Sequence, residues 1–135
     1  LKERGLRVCV MKHDAHEFEV DRVGKDSWRM TRAGADVTIL TNGAHAAILE
    51  NRPVTAEALL EQVHDVDLVL TEGYKHGLWK KIALYRAAVG KPFPCALEEC
   101  IAVVTDTPIA DCPVPCLGFE EIEALADRIE EEIGR

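Results

Sequence analysis

No apolar run in this 135-residue sequence approaches the roughly 18 residues that a bilayer-spanning helix needs. No signal-peptide pattern opens it either, so a cytoplasmic protein with no membrane partner is expected. Basic residues are in short supply: 16 Lys and Arg stand against 24 Asp and Glu, a formal net charge of −8. A protein that grips nucleic-acid backbones needs a basic surface, which removes nucleic acid as a general partner. A single anionic nucleotide is still admissible, because local backbone N–H groups and one or two lysines suffice to hold it. The sequence has no internal repeat and no low-complexity segment. Its five cysteines are odd in number and lack the tight two-residue spacing of common zinc sites. Cys95-x4-Cys100 and Cys112-x3-Cys116 can be drawn as a metal or cluster site, but scattered, reduced thiols in apolar surroundings are the simpler expectation. Also missing is any G-x-x-x-x-G-K-[ST] phosphate loop: Val23-Gly24-Lys25-Asp26-Ser27 looks like its tail, yet position 19 is Glu and Asp26 separates the lysine from the serine.

The 47% hydrophobic and 30% charged residues are those of a globular chain long enough to bury a core, and one domain over 1–135 is expected. Leu1 to Arg4 is helix-friendly and Gly5 sits where a helix C-terminal glycine would, so the chain is expected to open on the last turn of a helix. Leu6 to Met11 then forms a strand. Asp26 or Ser27 is expected to cap a helix that runs to about Ala33 and ends at Gly34. Asp36 to Thr41 and Ala44 to Leu49 read as a hairpin closed by Asn42-Gly43, with His45 in a structural role. Thr55 caps a helix with Ala58, Leu59, Leu60 and Val63 on its apolar side. Val66 to Leu70 has the near-continuous apolar run of a parallel strand covered on both faces. Lys80 to Arg86, Ile101 to Asp106 and Val114 to Leu117 are further strands, with Ala87 to Glu99 as a connector. A last helix spans Glu120 to Ile133, and its acidic face (Glu120, Glu121, Glu123, Asp127, Glu130) reads as solvated surface.

The chemistry is expected at the carboxyl ends of the parallel strands, where open α/β sheets hold their ligands. Asp67-Leu-Val-Leu-Thr-Glu72-Gly73-Tyr74-Lys75 puts a carboxylate, a turn-forming glycine and a lysine at such an end, and Gly73 permits close backbone approach. Lys12-His13-Asp14-Ala-His16 follows another strand. His13, Asp14 and His16 could gather a cation, and Asp14 with Glu72 would suit Mg²⁺, which takes few carboxylates plus waters and phosphate oxygens. Lys25, with the exposed N–H groups at the start of its helix, could contact an anion, although plain capping explains the stretch equally well.

Several of these stretches together resemble the MobB family of molybdopterin-guanine dinucleotide biosynthesis proteins. The matching residues are Val10-Met-Lys-His-Asp14; Asp21, Gly24-Lys25-Asp26-Ser27 and Ala33-Gly34-Ala35; Asp67 to Lys75; and Lys81-Ile82 with Arg86. The resemblance covers essentially the whole chain. It implies an α/β fold of the P-loop NTPase type, a mainly parallel sheet flanked by helices with an antiparallel hairpin, here without the first strand and most of the first helix. It further implies a GTP-binding accessory protein, at most a weak GTPase, that uses Mg²⁺ and assists the guanylyltransferase MobA, with molybdopterin as a further candidate ligand. Lys25, Asp26, Glu72, Gly73, Lys75 and Lys81 are then the nucleotide-site residues, and Asp14 and Glu72 the metal-linked carboxylates. Because the family's phosphate loop is not among these residues, the chain alone is expected to bind nucleotide weakly or not at all, and a seam left in the sheet would favour a homodimer. The alternatives are an ATP-dependent ligase of the dethiobiotin synthetase type, which would carry a glycine-rich run where Tyr74-Lys75 stands, or an interaction module that has lost nucleotide binding.

Overall fold

A computed structural model describes residues 1–14, 16 and 18–135. The strands are β1 (Val8–Lys12), β2 (Val37–Thr41), β3 (Ala46–Glu50), β4 (Leu68–Glu72), β5 (Lys81–Tyr85), β6 (Cys100–Thr105) and β7 (Cys116–Leu117). The helices are α1 (Asp26–Arg32), α2 (Ala56–Leu60) and α3 (Ile122–Glu132), with short 3₁₀ turns at Ala87–Val89 and Leu97–Glu99. The chain divides into two compact units, one made of Leu1–His13 with Asp67–Arg135 and the other of Asp14–Val66. Among the described residues no helix is long and apolar enough to cross a membrane.

The first unit holds two parallel sheets. β1 pairs with β4 in the register Val8↔Leu68 to Lys12↔Glu72. β6 lies between β5 and β7, parallel to both. All six residues of β6 are buried, and its Ala102 and Val103 are completely so. α3 packs on it through Ala126 and Ile129, each 7% exposed, and the Arg128 guanidinium donates to the Ile101 carbonyl at 3.1 Å. The strand covered on both faces is therefore β6 and not β4, whose Leu68, Val69 and Leu70 are half-buried and whose Thr71 and Glu72 are exposed. The apolar runs of the two strands are alike. What separates them is position, since a strand flanked on both edges and roofed by a helix loses more water than one paired on a single side.

Leu1 to Leu6 makes the paired bonds of a Schellman turn: Leu6 N–H donates to Leu1 O at 3.3 Å and Gly5 N–H to Lys2 O at 3.0 Å. Gly5 supplies the left-handed φ of +85° that this turn requires. The turn delivers Leu6 to complete burial and aims Arg4 at α3, where its guanidinium meets Glu123, Asp127 (2.6 Å) and Glu130 (2.6 Å). These three acids recur every three to four residues and so share one helix face. Three of the five acids expected to be merely solvated thus anchor the start of the chain.

A second tie sets the register of β1 against β4. The Asp67 carboxylate accepts from the Arg7 amide at 2.7 Å and from its guanidinium at 3.0 Å, while Asp67 N–H donates to Arg7 O at 2.8 Å. The Arg7 side chain and amide hold the Asp67 carboxyl down at about 2. Because its native value lies below the unfolded one, the pair stabilises the fold above the ordinary aspartate range, and that contribution disappears as the pH falls towards 2. Asp67→Asn is expected to lower the urea midpoint at pH 7 and to flatten the decline of stability between about pH 4 and pH 2, as read in denaturation curves across that window.

In the second unit, β2 and β3 form the expected antiparallel hairpin, with Ile39 opposite Ile48. Its loop is longer than the two residues expected. The Asn42 side chain accepts from the amides of Ala44 and His45, both at 2.8 Å, and Asn42 N–H donates to His45 O, which delays β3 to Ala46. An Asn that folds back on the amides two and three residues on competes with continued pairing. α1 starts with Lys25 at its N-cap, without a side-chain cap bond, where Asp26 or Ser27 was expected. It ends as expected at Gly34, in a Schellman turn. Thr55 caps α2, its hydroxyl accepting from Ala58 N–H at 3.2 Å. Thr38 is buried beneath α1 and shares a 2.9 Å hydrogen bond with Thr31.

Candidate functional site

In the first unit the parallel pairing of β1 and β4 brings their last residues, Lys12 and Glu72, side by side at the carboxyl edge. His13 N–H continues the ladder by donating to Glu72 O at 2.8 Å. The Lys12 ammonium lies 3.7 Å from a Glu72 carboxylate oxygen, and the two side chains are 63% and 65% exposed. This is a long, water-screened ion pair, so breaking it costs little when a ligand draws the Glu72 carboxylate away. The edge therefore offers one carboxylate and one ammonium to solvent at the strand ends where α/β sheets bind ligands. Lys12 was not singled out from the sequence. Its place opposite Glu72 follows only from the β1–β4 pairing, although its position as the last residue of an apolar strand was readable.

Gly73 turns the chain immediately after Glu72, with a φ of +91°. A Cβ built there would overlap the backbone carbonyl oxygen of His13. The close approach anticipated for this glycine is thus made by the neighbouring strand's backbone. Beyond it, Lys75 N–H folds back to Gly73 O at 2.8 Å. The Tyr74 ring sits between those of His13 (centroids 5.2 Å) and Trp79 (5.5 Å, edge-on). Lys75 is exposed beside this aromatic row.

Lys81 has a different setting. Its ammonium donates to Gly77 O at 2.8 Å, lies 3.4 Å from Trp79 O and pairs with Glu99 at 2.7 Å. Its side chain is only 16% exposed. All three donors of the ammonium are directed at protein oxygens, so Lys81 pins the loop that follows Tyr74.

The second unit contains Asp14, Lys25 and Asp26. Asp14 is exposed, and its carboxylate accepts from His16 N–H at 3.3 Å. Lys25 and Asp26 line an open hollow of about 660 Å³ together with Asp21, Arg22, Ser27 and Met30. One Asp21 oxygen accepts from Arg22 N–H at 2.7 Å; the other is buried without a partner among the described residues. Among those residues no three of His, Cys, Asp and Glu converge on a point where a metal ion could sit, so the His13, Asp14 and His16 constellation is not assembled as a cage. Four of the five cysteines lie in pairs: Cys95 and Cys100 stand with their sulfurs 3.4 Å apart, and Cys112 lies beside Cys116, whose thiol is pushed up by burial and by this neighbour. Cys116, expected in an apolar setting, is exposed.

Similarity to known proteins identifies the family. The profile of the family described as molybdopterin guanine dinucleotide synthesis protein B (MobB) matches residues 1–106. The chain is 40% identical over 131 residues to the molybdopterin-guanine dinucleotide biosynthesis adapter protein of Haemophilus influenzae, covering 94% of this chain and 73% of that protein. It is 34% identical over 136 residues to the adapter protein of Escherichia coli, covering 95% and 77%. Among solved structures, Bacillus subtilis MobB superposes with a TM-score of 0.75 at 22% identity, over 96% of this chain and 82% of that one. A crystal structure of molybdopterin-guanine biosynthesis protein B superposes with a TM-score of 0.70 at 25% identity, over 99% and 84%. The fold is therefore α/β with parallel ladders and an antiparallel hairpin, consistent with a P-loop-like architecture, and the chain belongs to the MobB family, whose members act as adapters in molybdopterin guanine dinucleotide biosynthesis.

Proposed function

We propose that the chain is the GTP-handling accessory component of molybdopterin guanine dinucleotide synthesis and works beside a MobA-type guanylyltransferase. The observation that carries this reading is the Glu72 carboxylate, exposed at the carboxyl end of β4, held in place by the Gly73 turn and in register with Lys12. An exposed carboxylate whose ion-pair partner among the described residues stands 3.7 Å away fits Mg²⁺, which keeps most of its waters and takes few protein ligands. Bound there, the ion would neutralise phosphate charge. The residues of this chain do the rest: Glu72 holds the cation side, Lys12 and Lys75 offer ammonium groups to phosphate oxygens, and Gly73 fixes the turn that presents them. Lys81 keeps the Gly77–Trp79 loop in place, which makes it a positioning residue. Lys25 and Asp26 are proposed as polar ligand contacts of the second unit. The amides that wrap the β and γ phosphates are proposed to come from outside these residues, since no G-x-x-x-x-G-K-[ST] loop occurs among them. The hairpin leaves Ile39 and Ile48 exposed on one face, which supports a homodimer as the working form.

The accessory role is tested in a reconstituted guanylyl transfer. A MobA-type enzyme, GTP below saturation and the molybdenum-bearing pterin are combined with the chain, preceded by a strand, a phosphate loop and a helix (the loop-extended chain). Dinucleotide formation is expected to rise at least about threefold. A rate unaffected by the added chain at any GTP concentration would remove the accessory role.

A further inference from the structure

We propose that Cys95 and Cys100 form a peroxide-responsive dithiol site, and that its closure to a disulfide loosens the clasp of Glu99 on Lys81 and so frees the loop after β4. The two sulfurs are 3.4 Å apart, a separation that backbone adjustment of over an ångström converts to the bonded distance of about 2.05 Å. Cys100 opens β6, is 4% exposed, and donates from its thiol to Ala96 O at 3.5 Å. Cys95 is half-buried and lines a hollow of about 580 Å³ with Tyr85, Phe93, Leu97, Pro108 and Ile109. That apolar hollow gives a small uncharged oxidant access to Cys95 and disfavours a charged one such as oxidised glutathione. No third ligand joins the pair among the described residues, so these thiols are not part of a metal cage.

The division of labour follows from burial. Desolvation, with the Cys95 thiol beside it, pushes the Cys100 thiol up to about 12, so the attacking sulfur is Cys95. The Cys95 thiolate attacks one oxygen of hydrogen peroxide and expels hydroxide, leaving a sulfenic acid. The Cys100 sulfur then attacks the Cys95 sulfur, and the sulfenic oxygen leaves as water with the Cys100 proton. Two thiols and one peroxide give one disulfide and two waters.

Glu99 lies inside the six-residue segment that the new bond closes and is adjacent in sequence to Cys100. Its carboxylate pairs at 2.7 Å with the Lys81 ammonium, which in turn donates to Gly77 O. Tightening the 95–100 turn therefore moves the anchor of the loop that carries Trp79 and backs Tyr74. The consequence for nucleotide affinity rests on the function proposed above; the disulfide and the loosened loop do not.

The test treats the full chain with hydrogen peroxide in stoichiometric amounts, followed by peptide mapping and hydrogen exchange. A peptide bridged between Cys95 and Cys100 is expected as the first product, amides over 77–81 are expected to exchange at least about threefold faster, and dithiothreitol should reverse both. Cys100→Ser should abolish both changes. Glu99→Gln should still form the bridge but show fast exchange at 77–81 before any oxidant is added. Oxidation of Cys9, Cys112 or Cys116 while Cys95 and Cys100 remain thiols would overturn the proposal. So would a 95–100 bridge that leaves exchange over 77–81 unchanged. Failure of the loop-extended chain to bind GTP would leave these readouts as they are, so the two ideas fail separately.

Discussion

Glu72→Gln is expected to lower the Mg²⁺-dependent affinity of the loop-extended chain for GTP by at least about tenfold, or about 1.4 kcal/mol, with the urea midpoint little changed. The substitution keeps the shape and one acceptor oxygen but removes the charge a hard cation selects for. Little fold stability is at stake. The only ion pair of Glu72 among the described residues is the exposed 3.7 Å contact with Lys12, and pairs of that kind contribute at most about 1 kcal/mol. Its backbone carbonyl, which does carry structure by accepting from His13 N–H, is untouched. The defect should therefore appear in titrations with Mg²⁺ and be nearly absent without it. An unfolded variant, or an unaltered metal dependence, would make Glu72 a structural residue.

Gly73→Ala is expected to cost on the order of 3 kcal/mol, measured as a fall in urea midpoint at constant slope. Two independent strains add at this position. The left-handed φ of +91° is unfavourable for any residue with a Cβ, and that Cβ would overlap the His13 carbonyl oxygen. The obstacle is backbone and not the end of a flexible side chain, so relief requires the ends of β1 and β4 to part and the His13–Glu72 bond to lengthen. Gly43→Ala in the hairpin loop is the control. Nothing lies within 4 Å of a Cβ there and its backbone is outside the left-handed region, so a change within about 0.5 kcal/mol is expected. Equal effects at the two positions would mean that β1 and β4 do not converge as described.

Much of this architecture was legible in residue patterns. Apolar runs located β1, β4, β5 and β6, Gly34 marked a helix end, and Thr55 was readable as a cap because each signal acts within a few residues of itself; Gly5 closes a turn where the end of a helix was expected. Features set by tertiary position were not legible. The sequence does not distinguish the half-buried Leu68–Glu72 from the fully buried Cys100–Thr105, because flanking strands and the roof of α3 decide burial. The acids of α3 read as solvated because their partner, Arg4, lies more than a hundred residues away in the chain. The candidate site shows the same division. Glu72 and Gly73 were found from a local motif, whereas Lys12 emerged through strand register. Lys81, a nucleotide-site residue by resemblance, has Glu99 and the carbonyls of Gly77 and Trp79 around its ammonium, an anchoring role that no local pattern announces. The paired cysteines belong to the same class, since spacings of four and three residues gain meaning only from the turns that close them.

The central claim, that the β1–β4 edge is part of a GTP site, is tested most directly by calorimetric titration of the loop-extended chain with GTP, with and without Mg²⁺. Saturable GTP binding that weakens at least about tenfold on removal of Mg²⁺ is the predicted result. A chain that ignores GTP under both conditions, yet binds ATP together with a small carboxylic acid, would contradict the account and favour a ligase.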